Sequence, residues 1–393
     1  MLPAKPPSYA LPLIVFSQVA GTSLWFATNA ILGNLPAASS RPDSIAFLTS
    51  LVQAGFILGT FLFAVLAIAD RYKATSVFAL CCFAAAMANG LVVPSASDTI
   101  ILGTLRFATG FFLAGIYPVG MKIAADLFPQ RMGRALGYLV GALVLGTALP
   151  HLLRSVLSHG SWQWVLVILS LLALSGGALM LSLRSHYKSS RSIGQFKSGL
   201  ALSLFRLPPF RSAAFGYFGH MWELYAFWAF VPFAIQLYNR SQNQALPVGL
   251  TSFGVIAIGF LGCIVGGRLS QKWNSKKVAS WALLLSGLCC LLSPIFFVLS
   301  APLFICFLLI WGASVVADSP QFSTLIAQAV PLSSRGTALA ISTSFGFAIT
   351  IISIQLLQAF ATRLDIYIFW ILLPGPLLGL MALRKHKSPS APA

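Results

Sequence analysis

Twelve long apolar stretches alternate with short polar segments along this chain. They run over 10–33, 44–68, 75–94, 99–124, 136–157, 163–183, 212–236, 247–269, 278–298, 301–326, 337–360 and 366–384. At about 1.5 Å of rise per residue, each can cross a hydrocarbon core of about 30 Å as a helix. The short alternating segments of a β-barrel are absent from the pattern. It predicts an all-α membrane protein of twelve transmembrane helices, numbered here as spans 1 to 12. The first stretch is too long for a signal-peptide core and is expected to stay as span 1. One polar connection stands out by length, 184–211, rich in Ser and basic residues. It divides the spans six and six. The expected organisation is therefore an N-terminal bundle over 1–183, a linker over 184–211 and a C-terminal bundle over 212–393.

The two halves echo each other. Near the end of span 4, Pro118 and Pro129 stand eleven residues apart, followed by Gly133-Arg-Ala-Leu-Gly137. Near the end of span 10, Pro320 and Pro331 also stand eleven apart, followed by Arg335-Gly-Thr-Ala-Leu339. The connections after spans 2 and 8 are both short and basic: Leu66-Ala-Ile-Ala-Asp-Arg-Tyr-Lys73 and Gly267-Arg-Leu-Ser-Gln-Lys-Trp-Asn-Ser-Lys-Lys277. Coincident echoes at matching spans indicate duplication of a six-helix unit. Parallel repeats of this kind predict two pseudo-symmetric bundles with a solute site near the midplane between them.

Composition agrees with a membrane-embedded chain. Of 393 residues 58% are hydrophobic and 8% charged, and the mean hydropathy is +0.87. A net charge of +18 raises the question of a nucleic-acid partner. The bases sit instead in alternate connections. Nineteen of the 25 Lys and Arg residues fall on the side of the termini, against Arg41, Arg154, Arg240 and Arg363 opposite. This bias predicts both termini in the cytoplasm and a multi-pass protein of the inner membrane. The six cysteines lie in apolar runs without Cys-x-x-Cys spacing, and read as free thiols filling space. No metal, cofactor or nucleic acid is expected.

The chain holds seven acids, and only Glu223 and Asp318 fall well inside an apolar stretch. A charged side chain at bilayer depth costs roughly 2.5–3.5 kcal/mol on insertion scales. Such residues need a use or a partner. His220 lies three residues before Glu223, on the same face of span 7. An acid in oil beside an imidazole is suited to proton exchange, or to locking span 7 onto a neighbour. Asp318 precedes Ser319-Pro320 and reads as a second cavity acid, a partner for Arg106 or Lys122, or a cap on a proline-broken helix. Arg106, inside span 4, must face protein or water. Lys122 lies nearer the helix end, where snorkelling explains it. Gln18, Trp25 and Asn29 on span 1, Gln53 on span 2, Tyr117 on span 4, and Trp222 and Tyr225 on span 7 are candidates to line a solute cavity. Each polar one also reads as a helix–helix bridge.

On these residues the chain resembles the major facilitator superfamily. Asp70 and Arg71 match that family's motif between spans 2 and 3, and Gly267 and Lys272 stand in its second copy. Arg106-Phe-Ala-Thr-Gly110 is similar to the family's R-x-x-x-G pattern in span 4. Asp126-Leu-Phe-Pro-Gln-Arg-Met-Gly-Arg134 and Trp162-Gln-Trp164 are also family-like. The resemblance implies alternating access, usually driven by a proton or ion gradient. It implies a cavity lined by spans 1, 4, 7 and 10, and a gate on the cytoplasmic side at Asp70, Arg71, Gly267 and Lys272.

The expected function is proton-coupled secondary active transport of a small solute by alternating access, the proton-coupling groups being Glu223, His220, Asp318 and Arg106. Efflux of an organic or amphipathic compound is the favoured reading, and uptake of a small anion of the nitrate, nitrite or cyanate type is the alternative. Span 2 carries Gln53 and no cation, which argues against nitrate. A membrane-embedded enzyme is disfavoured: His220-x-x-Glu223 lacks the second His of a zinc helix, and no phosphate-binding loop occurs. A receptor would carry a larger soluble output segment. The expected partners are a small-molecule solute, protons and the lipid bilayer, for a protein working as a monomer.

Overall fold

In the computed structural model the described residues are 7–39, 43–157, 161–185, 203–331 and 334–384, without the side chains at 38, 39, 130, 132 and 133. Most of the expected linker, 186–202, lies outside them, as do both chain ends. The described secondary structure is helical throughout. Eight helical segments are long and apolar enough to cross a membrane, and the last of them, Arg335–Arg384, joins spans 11 and 12. Ala10–Thr22 and Ala74–Gly90 are shorter apolar helices at spans 1 and 3. Span 7 is a 34-residue helix, Pro208–Ser241, whose hydropathy is diluted by His220, Glu223 and its tyrosines. Together these give the twelve spans the pattern predicts.

Several spans are not straight helices, and the sequence explains where they break. Span 1 runs as a helix over Ala10–Thr22, passes through turns, and resumes as a 3-10 helix over Asn29–Asn34. Span 4 is split into Thr99–Leu113 and Tyr117–Leu127, with Pro118 in the first turn of the second piece. Span 10 is split into Ala301–Ala317 and Ser319–Gln328, with Pro320 in the same position. A proline lacks the N–H that would continue the preceding helix, and its ring clashes one turn back. It is tolerated where a new helix starts. The proline echo read from the sequence is thus a pair of matching breaks. Span 12 begins as a 3-10 helix over Asp365–Leu372 and continues over Pro374–Arg384. Asp98 starts span 4 by accepting from the backbone N–H of Ile100 (2.8 Å) and Ile101 (3.0 Å).

The halves share one tight crossing each. Spans 2 and 4 pack through Gly55, Gly59 and Gly110, whose Cα atoms lie against backbone carbonyls of the facing helix. Span 8, in two pieces over Val248–Ala257 and Gly259–Trp273, packs against span 10 through Gly259, Gly262, Gly266 and Gly312 in the same way. Gly110 and Gly312 each stand eight residues before their proline. A Cβ on Gly110 would collide with the carbonyl oxygen of Val52, and one on Gly312 with that of Val255. Small residues let helix backbones approach this closely. Gly312→Val is therefore expected to leave little monodisperse protein in detergent. Gly137→Ala, where a Cβ meets nothing within 4 Å, is expected to keep the parent yield and melting midpoint.

Across the halves, span 2 packs on span 11 and span 5 on span 8. Span 5 is Met132–Val156, and span 11 is Arg335–Leu364. At the end remote from the termini, Gln355 donates to Ser50 Oγ (3.0 Å), and Gly249 abuts the backbone oxygen of His151. Midway, Gly141 meets the Phe260 ring. Toward the end of the termini, Gly137 and Gly267 face open space.

Candidate functional site

The acids inside the membrane stretch are buried, and their partners lie within the C-terminal half. Glu223 on span 7 is 1% exposed. Its Oε1 accepts from Trp311 Nε1 of span 10 at 2.7 Å and from Cys290 Sγ at 3.3 Å, and its Oε2 accepts from Ser286 Oγ at 2.8 Å. Ser286 and Cys290 are one turn apart on span 9, Ser275–Phe297. Trp311 is itself stacked on Phe227, one turn after Glu223, with ring centroids 4.4 Å apart. A carboxylate three donors deep is well solvated by protein, which is how it stands in an apolar bundle at all.

His220, one turn earlier on span 7, does not pair with Glu223. Its Nδ1 lies 2.8 Å from Asp318 Oδ1, and its Nε2 lies 2.8 Å from Ser319 Oγ. Both His220 and Asp318 are 1% exposed. Asp318 occupies the break in span 10, between Ala317 and Ser319. The break frees its side chain to reach span 7, so the proline that splits span 10 also positions the acid. Two carboxylates and one imidazole therefore lie on adjoining faces of spans 7 and 10. Asp318 and His220 form a charged pair only while the imidazole is protonated.

Arg106 meets neither acid. Its Nη2 donates to the carbonyl oxygens of Leu24 (3.1 Å) and Trp25 (2.7 Å), and its Nη1 to Asn89 Oδ1 (3.3 Å). The carbonyls belong to the interrupted stretch of span 1, where the helix has ended and its C-terminal carbonyls lack partners. A cation at such an end also complements the helix dipole. Asn89 in turn donates to Ser170 Oγ (3.0 Å) and to the Leu166 carbonyl (3.2 Å) on span 6, Gln163–Ser182. Arg106 thus ties spans 1, 3, 4 and 6 together. Lys122 bridges Asp70 (3.1 Å) and Asp126 (3.4 Å) rather than snorkelling alone. The expected partnership of Asp318 with Arg106 or Lys122 is corrected accordingly: each base is already engaged within its own half.

The remaining predicted residues separate into groups. Trp25, Tyr225, Phe56 of span 2 and Phe347 of span 11 make one aromatic cluster across the two halves. Ring centroids are 4.8 Å for Trp25–Phe56, 5.4 Å for Trp25–Tyr225 and 4.4 Å for Phe56–Phe347. Gln53 and Gln18 are fully buried, with no hydrogen-bond partner on either amide atom among the described residues. Gln18 Oε1 lies against Gly120 of span 4. Asn29 is a helix bridge, its Nδ2 donating to Thr49 Oγ1 at 2.7 Å. Trp222 turns to span 12 and donates to the Ile371 carbonyl at 2.9 Å, away from the seam between halves. Tyr117 is half-buried at the start of the second piece of span 4. Of the gate residues, Asp70 is held by Lys122, Arg71 and Lys272 are exposed, and Gly267 faces open space. A cleft of about 450 Å³ at the end of the termini, between spans 1 and 5, holds Arg131, Arg134 and Tyr138 but none of the predicted site residues.

Sequence reasoning missed the donors to Glu223. Ser286, Cys290 and Trp311 are single polar atoms in apolar helices, and nothing in their spacing marks them. Cys290, taken as an inert filler, is a donor to the carboxylate.

Comparison with known proteins supplies the frame for this geometry. The sequence matches the family model described as Major Facilitator Superfamily over residues 13–354. A search of curated proteins returns no sequence match. The fold is similar to that in the crystal structure of a mutant of the nucleoside transporter NupG. That match has a TM-score of 0.70 at 13% sequence identity, and covers 95% of this chain and 97% of that one. At that identity the likeness speaks to fold alone. The family match spans most of the chain and both halves of the twelve-helix fold: the protein belongs to the Major Facilitator Superfamily of secondary transporters.

Proposed function

We propose that this secondary transporter is driven by protons, and that Glu223 and the His220–Asp318 pair are the groups that take up and release them. The observation that carries the reading is the placement of two buried carboxylates and an imidazole on spans 7 and 10, at the break of span 10. A pair that is ionic when the imidazole is protonated and only hydrogen-bonded when it is neutral gives the span 7–span 10 contact two states. A helix already interrupted at Asp318 can swing its second piece by giving up the contacts of Asp318 and Ser319 with His220. The substrate path runs between the bundles, 1–183 and 212–393, with 184–211 as the cytoplasmic linker and both termini in the cytoplasm of the inner membrane.

A small organic solute fits the aromatic seam between the halves, and efflux remains the favoured direction. Uptake of a small anion has less support. The intramembrane bases Arg106 and Lys122 are engaged by carbonyls and carboxylates, so neither is presented to an anion at the centre. The gate on the cytoplasmic side is assigned to Asp70, Arg71, Gly267 and Lys272.

Asp318→Asn tests the reading. Asn keeps the size of the side chain but cannot form the charged state of the pair. Uphill transport by the variant in proteoliposomes is expected to lose its dependence on pH. Wild-type pH dependence in the variant would assign the pair a purely structural role.

A further inference from the structure

We infer that the solute carried is uncharged, flat and heteroaromatic, with a hydrogen-bond donor and acceptor side by side on one edge, and that Gln53 reads that edge. This rests on the transporter reading above and names the substrate class of its central path. Gln53 lies on span 2 between residues that mark its surroundings. Thr49, four residues before it, is bonded by Asn29 of span 1; Ser50, three before it, is bonded by Gln355 of span 11; and Phe56, three after it, touches Trp25 and Phe347. Residues three and four apart share a helix face. Gln53 therefore points into the seam where spans 1, 2 and 11 meet across the two halves.

Its amide is fully buried, and neither Nε2 nor Oε1 has a hydrogen-bond partner among the described residues. Trp25 Nε1, on the ring that Phe56 touches, is also buried and without a partner among the described residues. Buried polar groups are ordinarily paired. Here Gln53 and Trp25 carry three such atoms, in a seam whose aromatic faces belong to both halves: Trp25 and Phe56 on one, Tyr225 and Phe347 on the other. One edge of a carboxamide presents an N–H donor and the oxygen acceptor side by side in a plane. That is the complement of an amidine or lactam edge on a flat ring, and carboxamides read such edges bidentately. The surrounding rings supply stacking faces for the body of the ligand. The charged groups nearby are committed elsewhere: Arg106 to span 1 carbonyls, Glu223 to spans 9 and 10, Asp318 to His220. The aromatic cluster is closed on itself, so the ligand enters as the two halves part.

The test uses the purified full-length protein in detergent and thermal-shift titrations with five probes. Adenine and uracil are neutral rings with the required edge, benzoate and nitrate are anions, and tetraphenylphosphonium is a cation. The neutral rings are expected to raise the melting midpoint in a dose-dependent way, and the others not. Gln53→Met, close in volume but without the amide, is expected to raise the midpoint of the empty protein, because it removes unpaired buried atoms. It is also expected to weaken binding of the neutral rings at least about tenfold. Stabilisation by the ions alone overturns the inference, as does no response to either neutral ring up to about 10 mM, about ten times a Kd of 1 mM. A lower midpoint for empty Gln53→Met makes the amide a helix bridge and also overturns it. Failure of the ligand class leaves proton-driven transport through Glu223 standing. Failure of the transport reading appears instead as ring binding without uphill movement in proteoliposomes.

Discussion

Glu223→Gln is expected to abolish accumulation against a gradient while leaving solute exchange across the membrane intact. The geometry makes this substitution unusually clean. In the parent, Oε1 accepts from Trp311 and Cys290, and Oε2 accepts from Ser286. A glutamine can keep its oxygen toward the indole and turn its amide N–H₂ toward Ser286, whose hydroxyl rotates to accept. Packing and hydrogen bonding survive, and only the titratable proton is lost. The melting midpoint is expected to stay within about 2 °C of the parent, as for a substitution that creates neither a cavity nor an orphaned group. Accumulation in proteoliposomes under an imposed pH gradient is expected to fall at least tenfold, as loss of an obligatory coupling group requires. Glu223→Ala is different in kind. It strands the Trp311 N–H in a dry bundle, at about 1–3 kcal/mol for the orphaned group, and leaves the Ser286 hydroxyl only the Leu283 carbonyl at 3.3 Å. A protein in which Glu223→Gln accumulates solute normally uses this carboxylate only to lock span 7 to spans 9 and 10.

Arg106→Met carries the second large effect, and it falls on stability. The guanidinium holds two carbonyls of the interrupted span 1 and the Asn89 amide, all buried. Methionine fills much of the same space and satisfies none of them. The expected loss is about 1–3 kcal/mol for each acceptor left unpaired in the bundle. It would be measured as lower yield and a depressed unfolding midpoint in detergent. Arg106→Lys is expected to recover part of the loss, because a single ammonium cannot reproduce a planar fork that spans three acceptors. A stable Arg106→Met protein with lost proton coupling would assign Arg106 to the transport step instead.

The fold was legible because hydropathy marks the twelve spans directly, and because duplication leaves offsets that can be counted. Pro118 and Pro320 break spans 4 and 10 at matching places, and Gly110 and Gly312 make matching close crossings eight residues earlier. Span 1 was read as one run, and its interruption after Thr22 carries no proline to announce it. The acids were legible as outliers in composition, since an ionisable group in oil is conspicuous. Their partners were not. His220 is nearer to Glu223 in sequence, yet the break in span 10 brings Asp318 to it first. Helical periodicity says which residues share a face, but not which neighbouring helix that face meets. Trp222 shows the same limit: it lies in the aromatic run with Tyr225, yet it donates to Ile371 on span 12 while Tyr225 meets Trp25 on span 1.

The most direct measurement follows protons and solute together in proteoliposomes containing the purified protein. A solute gradient is imposed with no initial pH difference, and internal pH is recorded with a trapped indicator. Wild-type protein is expected to move protons in fixed proportion to solute, and Glu223→Gln to move solute down its gradient with no proton flux. Solute movement by the wild type with internal pH unchanged would contradict the account at its centre.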